Sequence, residues 1–409
     1  MSDVEKNIGT HKPEFDGEWV PISQVYDLQM GKTPSRDIPE YWNNGEHDWV
    51  SIKDLGSYEK YVGKTNETIS ELGRVKSGIK SVPANTLLMS FKLSLGKTAI
   101  TTKETYTNEA IMAFLDKGTY DFDIDYMWHQ LQSKDWTVGT NTAVMGKTLN
   151  KKTLSATKIR VPSISEQKEI AKHLDVVQET LSLLSLELKT LDDLVKSQFV
   201  EMFGGYGADS EYRCARLGKL LSVEPQNGLY KPQRYYRTDC GGTPIVRVDA
   251  FSDGSVFSYA SLKRLDCSES ELENYALHEG DIVMNRVNGS IERVGKVALI
   301  KGLDEATVYE SNMMRFHVDE SRLNVTYIVH VLCSDDIRKQ IKSCARIANQ
   351  CSVNQENIAG LQIPLPPLAL QRQFADFVAR VDKLGFDCCR EIVCCGVLFS
   401  SMSASLLCT

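Results

Sequence analysis

Three Gly-Lys-Thr tripeptides, at 31–33, 96–98 and 146–148, are the stretches of this chain that could cradle a phosphate. A phosphate loop also needs a glycine five residues earlier, so that successive backbone N–H groups curl around the anion. Those positions hold Tyr26, Phe91 and Asn141, which excludes a nucleotide site. The segment 203–207, Phe-Gly-Gly-Tyr-Gly, has the F-x-G-x-G spacing with which methyltransferases hold S-adenosylmethionine. It follows a long helical pattern where those enzymes place a strand, and no N-P-P-Y or D-P-P-Y tetrapeptide accompanies it, so it reads as a helix terminator. Glu166-Gln167-Lys168 imitates a nuclease E-x-K but opens a helix. His129 and His330 fall in helical patterns as core or interface histidines. No catalytic residue, metal ligand or cofactor site is assigned.

The elements that carry these residues belong to a long chain. At 409 residues, 42% apolar and 25% charged, the composition predicts two globular domains plus connectors. A polar N-terminus and the lack of an apolar run of about 18 residues predict no membrane span and a cytoplasmic location. All eleven cysteines lie beyond position 213, most of them single; the adjacent pairs Cys388–Cys389 and Cys394–Cys395 lack zinc-ligand spacing and read as helix-face packing in a reducing compartment. The net charge is −7, of which −4 falls in 166–205, leaving two near-neutral blocks free to present a basic face.

The chain is written twice. "YMWHQLQSKD" (126–135) matches "YIVHVLCSDD" (327–336), "LGKTAI" (95–100) matches "VGKVAL" (294–299), and "VPSISEQKEI" (161–170) matches "LPPLALQRQF" (365–374). The offset drifts from 195 to 204, which is a duplicated domain and not a solenoid repeat. Each copy opens with short strands, of which "WVSIKDL" and "PIVRVDAF" alternate most clearly, continues with a helix ("DYMWHQLQSKD"; "TYIVHVLCSDDIRKQIKS"), and ends in a proline-punctuated strand and a long helix.

Ser165 is the expected N-cap of the first long helix, with Lys168 leaving the capping box incomplete. Ile170, Leu174, Val177, Leu181, Leu184, Leu188, Leu191 and then Leu194 or Val195 alternate spacings of four and three, a coiled-coil seam on a rod of about 57 Å. Its partner should be the segment from Gln371 onward, starting with Phe374, Val378 and Val381. Beyond Gly385 the text is Cys-rich and charge-poor and predicts a weaker helix.

Together these motifs resemble the specificity subunit of type I restriction–modification systems over nearly the whole chain. The resemblance rests on "GKTPSRDIPEYWNNGEHDWVSIKDL", "PQNGLYKPQRYYRTDCGGTPIVRVDAFSDG", "GDIVMNRVNG", "ESNMMRF", "LVKSQFVEMFGG" and "VNQENIAGLQIPLPPLALQRQF". It implies an α+β chain: a polar tail (1–17), target recognition domain 1 (18–164), a central coiled-coil helix (165–205), target recognition domain 2 (206–366) and an atypical Cys-rich C-terminal helix (367–409), the two helices forming an antiparallel coiled coil. It further implies a non-catalytic chain that binds a bipartite asymmetric double-stranded DNA target and docks two modification (methyltransferase) and two restriction (translocase/nuclease) subunits. S-adenosylmethionine, ATP and Mg are expected on those partners.

Base edges are read by Arg or Lys on guanine and Asn or Gln on adenine, while Lys and Arg clamp phosphates. The candidate readers in the first domain are Lys32, Thr33, Ser35 and Arg36 in one loop and Lys92, Ser94 and Lys97 in another. In the second they are Lys231, Gln233, Arg234, Tyr235, Tyr236 and Arg237, then Arg286 and Asn288, then Arg346, Asn349 and Gln350. Two rival readings stay open on sequence alone: a coiled-coil scaffold joining two protein-binding domains, and a self-contained methyltransferase or nuclease.

Overall fold

The computed structural model describes residues 17–42, 45–92, 94–136, 141–143, 146–204, 212–251, 254–255 and 259–407. The chain forms two compact units. The first takes residues 1–186 and 389–409, the second 187–388. Two helices of 40 residues each, a central one (Ile164–Phe203) and a terminal one (Leu368–Leu407), contribute a segment to both units.

Each unit repeats one sheet plan. In the first, the order is Tyr26–Met30, Ile111–Asp116, Leu87–Ser90, Thr98–Ile100, all antiparallel. In the second, Leu221–Asn227, Met313–Val318, Ile282–Asn285 and Val297–Leu299 stand in the same order, extended by Gly254–Ser255. A second sheet sets His47–Val50 parallel to Tyr106–Thr107, as Thr243–Val246 runs parallel to Val308–Tyr309. Entry and exit strands close each unit, Glu18–Pro21 on Lys158–Val161 and Cys214–Arg216 on Gln362–Pro364. The central strands are fully buried runs such as Leu87-Leu88-Met89 and Ile282-Val283-Met284, because both faces of these strands are covered.

Several local expectations are corrected. "WVSIKDL" is not one strand: it ends at Val50, because Ser51 caps a short helix (Ile52–Leu55) whose Asp54 returns the bond. Likewise Thr243–Val246 ends before Arg247. "TYIVHVLCSDDIRKQIKS" is two helices, Val325–Leu332 and Asp335–Cys344, because the Ser334 hydroxyl accepts the Ile337 N–H and starts the second one. The central helix begins earlier than Ser165: Ser163 accepts from the Glu166 N–H, and the Glu166 carboxylate accepts the Ser163 N–H at 2.9 Å, a complete capping box.

The seam of the central helix faces the cores. Ile170, Leu174 and Leu184 are buried, Val177, Leu181, Leu188 and Leu191 half-buried; Val195 is buried while Leu194 is exposed. Within the second unit, Val195, Phe199 and Phe203 of the central helix share one core with Phe374, Val378 and Val381 of the terminal helix. Phe199 and Phe374 meet edge to face at 5.2 Å, and the Gly385 backbone lies against Leu188 and Leu191. Contacts climb one helix as they descend the other, so the pair is antiparallel. Within the first unit, Phe399 and Met402 of the terminal helix pack on the core containing Ile170, Ala171 and Leu174. The Cys-rich stretch is therefore regular helix: Gly385, Cys388, Ile392, Cys395, Phe399 and Met402 continue the alternation of four and three, and each is at least partly covered. All the described cysteines are free thiols.

Candidate nucleic-acid interface

Gly31 and Gly228 occupy equivalent turns leaving the first sheet strand of each unit. The Gly31 N–H donates to the Ile111 carbonyl and the Gly228 N–H to that of Met313, both at 3.1 Å. A Cβ at Gly31 would fall 2.2 Å from the Thr107 carbonyl oxygen, and one at Gly228 2.3 Å from that of Glu310. The glycine of the first GKT is thus required by close backbone approach. The second GKT has a parallel explanation: Gly96 turns at φ +81° and donates to the Ser90 carbonyl at 3.0 Å, as Gly295 at φ +84° donates to Asn285 at 2.8 Å.

These turns gather the loops that carry the candidate readers. In the first unit the Lys32 N–H bonds Thr107, the Phe91 N–H bonds Ala110, and the Leu149 N–H bonds the Phe91 carbonyl. In the second the Leu229 N–H bonds Tyr309, the Arg286 N–H bonds Asn312, and the Val353 N–H bonds the Arg286 carbonyl at 3.0 Å. A small sheet completes the second set. Val287–Asn288 pairs with Cys351–Ser352, which pairs in turn with Arg346–Ile347. The Arg286/Asn288 loop and the Arg346–Gln350 segment, far apart in sequence, are thereby joined.

The candidates divide by what their side chains touch. Lys32 donates to the Ser77 carbonyl, and Thr33 bonds Glu109 and Asn108. Arg36 chelates Glu67 with both terminal nitrogens and stacks 3.8 Å from the Trp42 ring centre, and the bonded carboxylate raises its pKa. The exposed Ser35 lends its carbonyl to the Trp42 indole N–H. In the second unit Lys231 pairs with Glu271 at 2.8 Å, which raises the ammonium pKa, and lies over Tyr235. Arg237 binds Asp239 and Asp266, both at 2.8 Å. Tyr236 lies under Arg247, and Arg286 donates to the Ser311 carbonyl while burial lowers its pKa. The Asn288 carboxamide oxygen accepts the Ser290 N–H. These contacts link the loops to neighbouring carboxylates, carbonyls and rings.

The remaining candidates face solvent. Ser94, Lys97, Gln233, Arg234, Arg346, Asn349 and Gln350 are exposed, and Lys92 is half-buried over the Phe91 ring. Among the described residues Arg234 touches only Tyr235, its hydroxyl at 3.4 Å and its ring centre at 5.0 Å. Two exposed residues went unnoticed in the sequence, Tyr230 (76%) and Ile347 (70%). Their signal was position: each sits inside a basic, amide-rich loop where an apolar side chain has no core to join. Glu46, His47 and Glu71 form the single metal-like cluster among the described residues, but Arg74 already chelates Glu71.

The profile of the "Type I restriction modification DNA specificity domain" matches residues 16–191 and again 211–390. The chain belongs to the type I restriction–modification specificity family. Its two specificity domains share 23% identity over 403 residues with the MjaVIII specificity subunit of Methanocaldococcus jannaschii, covering 92% of this chain and 88% of that one. The putative MjaX specificity subunit of the same organism is 31% identical over 175 residues (42% of this chain, 40% of that one), and the EcoKI specificity subunit of Escherichia coli is 27% identical over 246 (55% and 50%). The chain thus spans about half or less of the length of these last two relatives. The fold resembles the crystal structure of the type I restriction–modification S subunit from M. genitalium, with a TM-score of 0.58, 14% identity and 97% of each chain covered. No helix among the described residues is long and apolar enough to cross a membrane.

Proposed function

We propose that this specificity subunit is the non-catalytic reader of a type I restriction–modification complex, each of its domains recognising one half of a bipartite, asymmetric double-stranded DNA target. The observation that carries the reading is that one loop framework, built twice with the same backbone bonds, presents different side chains: Lys92, Ser94 and Lys97 in the first unit against Arg286 and Asn288 in the second. Identical scaffolds with different side chains are what two unlike half-sites require. The paired helices set the unread spacer and dock two modification and two restriction subunits in the cytoplasm. S-adenosylmethionine is bound by the modification subunits, ATP and Mg by the restriction subunits, and none of them by this chain.

Methylation-sensitive long-read sequencing of the host genome tests this. The expected result is a split adenine-methylated motif that disappears when the gene is deleted. A methylome unchanged by the deletion overturns the proposal.

A further inference from the structure

We infer that the 346–352 hairpin of the second unit enters the DNA major groove and that Ile347 reads the C5-methyl of a thymine there. The inference rests on the DNA-reading function proposed above and adds a residue and a chemical group to it.

Register fixes which residues flank Ile347, and its exposure shows that it faces solvent. Ile347 stands opposite Cys351, and Cys351 stands opposite Asn288 on the next strand. Directly paired residues share a face, so Ile347 and Asn288 flank Cys351 on one face, about 10 Å apart over two strand spacings. Cys351 is 7% exposed and belongs to the main core of the unit, so the middle strand is anchored. Ile347 beside it is 70% exposed. Arg346, opposite Ser352, points the other way and makes no ion pair among the described residues.

Charge and chemistry select the occupant. The stretch 346–354 contains no acidic residue, so nothing in it repels phosphate. The tip between the strands, Ala348-Asn349-Gln350, carries two exposed carboxamides. In the major groove an A·T pair offers two handles, the thymine methyl to an apolar side chain and adenine N6/N7 to Asn or Gln. That groove, about 12 Å wide, admits a two-stranded ribbon. An isoleucine beside two carboxamides on such a ribbon matches A·T pairs and leaves guanine contacts to Arg234.

The test uses the full chain in its complex with the modification subunits and a duplex carrying the methylated motif. Each thymine in either half is replaced in turn by deoxyuridine, which removes the methyl alone. The expected result is one position at which the replacement weakens wild-type binding about fourfold, the worth of one buried methyl. Ile347→Ala should bind the thymine and uracil duplexes at that position equally, and Ile347→Val should restore part of the difference. The inference is overturned if no thymine is methyl-sensitive, or if the sensitive position remains so in Ile347→Ala. Complete loss of preference for the motif over unrelated duplex would instead sink the DNA-reading function, and this inference with it.

Discussion

Gln371 and Asn324 are joined inside the second unit: the fully buried Gln371 Oε1 accepts the Asn324 backbone N–H at 2.8 Å, while its Nε2 donates to the Pro366 carbonyl at 2.8 Å. Gln167 does the same in the first unit, accepting from Asp123 at 2.8 Å and donating to Pro162 at 2.8 Å. Each glutamine ties the start of a long helix to the N-cap residue of an earlier domain helix, Ile124–Ser133 in the first unit and Val325–Leu332 in the second. Replacing either with Ala leaves a buried N–H and a carbonyl unpaired, and should cost about 1–3 kcal/mol in denaturant unfolding.

Gly31→Ala and Gly228→Ala should destabilise by about 1–3 kcal/mol, since the new methyl meets a backbone carbonyl that cannot step aside. Thermal unfolding checks this, and the loss should appear without DNA.

The glycines of the terminal helix should behave in the opposite way. A Cβ at Gly396 meets nothing within 4 Å, and one at Gly385 meets Leu188 and Leu191 at 3.7 and 3.9 Å, ordinary contact distances. Gly396→Ala and Gly385→Ala should each stabilise by about 1 kcal/mol through helix propensity, read as a raised denaturant midpoint. Gly385→Leu should lower it.

Arg234 and Arg36 separate readers from braces. Arg234→Ala should change binding to one half-site and leave stability untouched. Arg36→Ala should lose at most about 1 kcal/mol of stability, because the Glu67 pair is half-exposed, with both half-sites still discriminated. Binding to duplexes altered in one half at a time, together with melting curves, distinguishes the two outcomes.

His330 gives the second unit an acid-sensitive point. Burial holds its imidazole down at about 4, against an ordinary value near 6.5. The unfolded chain therefore takes up the proton first, so this contribution is complete above about pH 6.5 and is lost as pH falls towards 4. His330→Gln should flatten the slope of unfolding free energy against pH in that window, by up to about 3 kcal/mol across it.

The duplication, the strand–helix order and the first seam were legible in the sequence, because apolar periodicity and paired motifs survive divergence. Boundaries were not. Ser334 lies between the apolar Val331 and Ile337 of one helical pattern, and the choice between Ser163 and Ser165 as N-cap depends on which acid folds back. The terminal helix looked weak when judged by charge and glycine count, yet Gly385, Cys388 and Cys395 keep the seam's spacing. For the loops, residue type picked out segments whose backbones the structure ties together. Only the pairing of 287–288 with 351–352 brought two of them together, and only the structure shows that Arg36, Lys231 and Arg237 are ion-paired to carboxylates.

The missing side chain at Gly385 has one more effect. A shift of 204 residues makes Leu181 the counterpart of Gly385 in the central helix. Were two central helices to associate head to tail in the same register, Leu181 would be driven into the space Leu188 and Leu191 now share with a bare α-carbon, at a cost of about 1–3 kcal/mol. Mating a bulky residue on one helix to a missing side chain on the other makes the correct partner cheaper than a twin, so the chain carries a safeguard against pairing like with like.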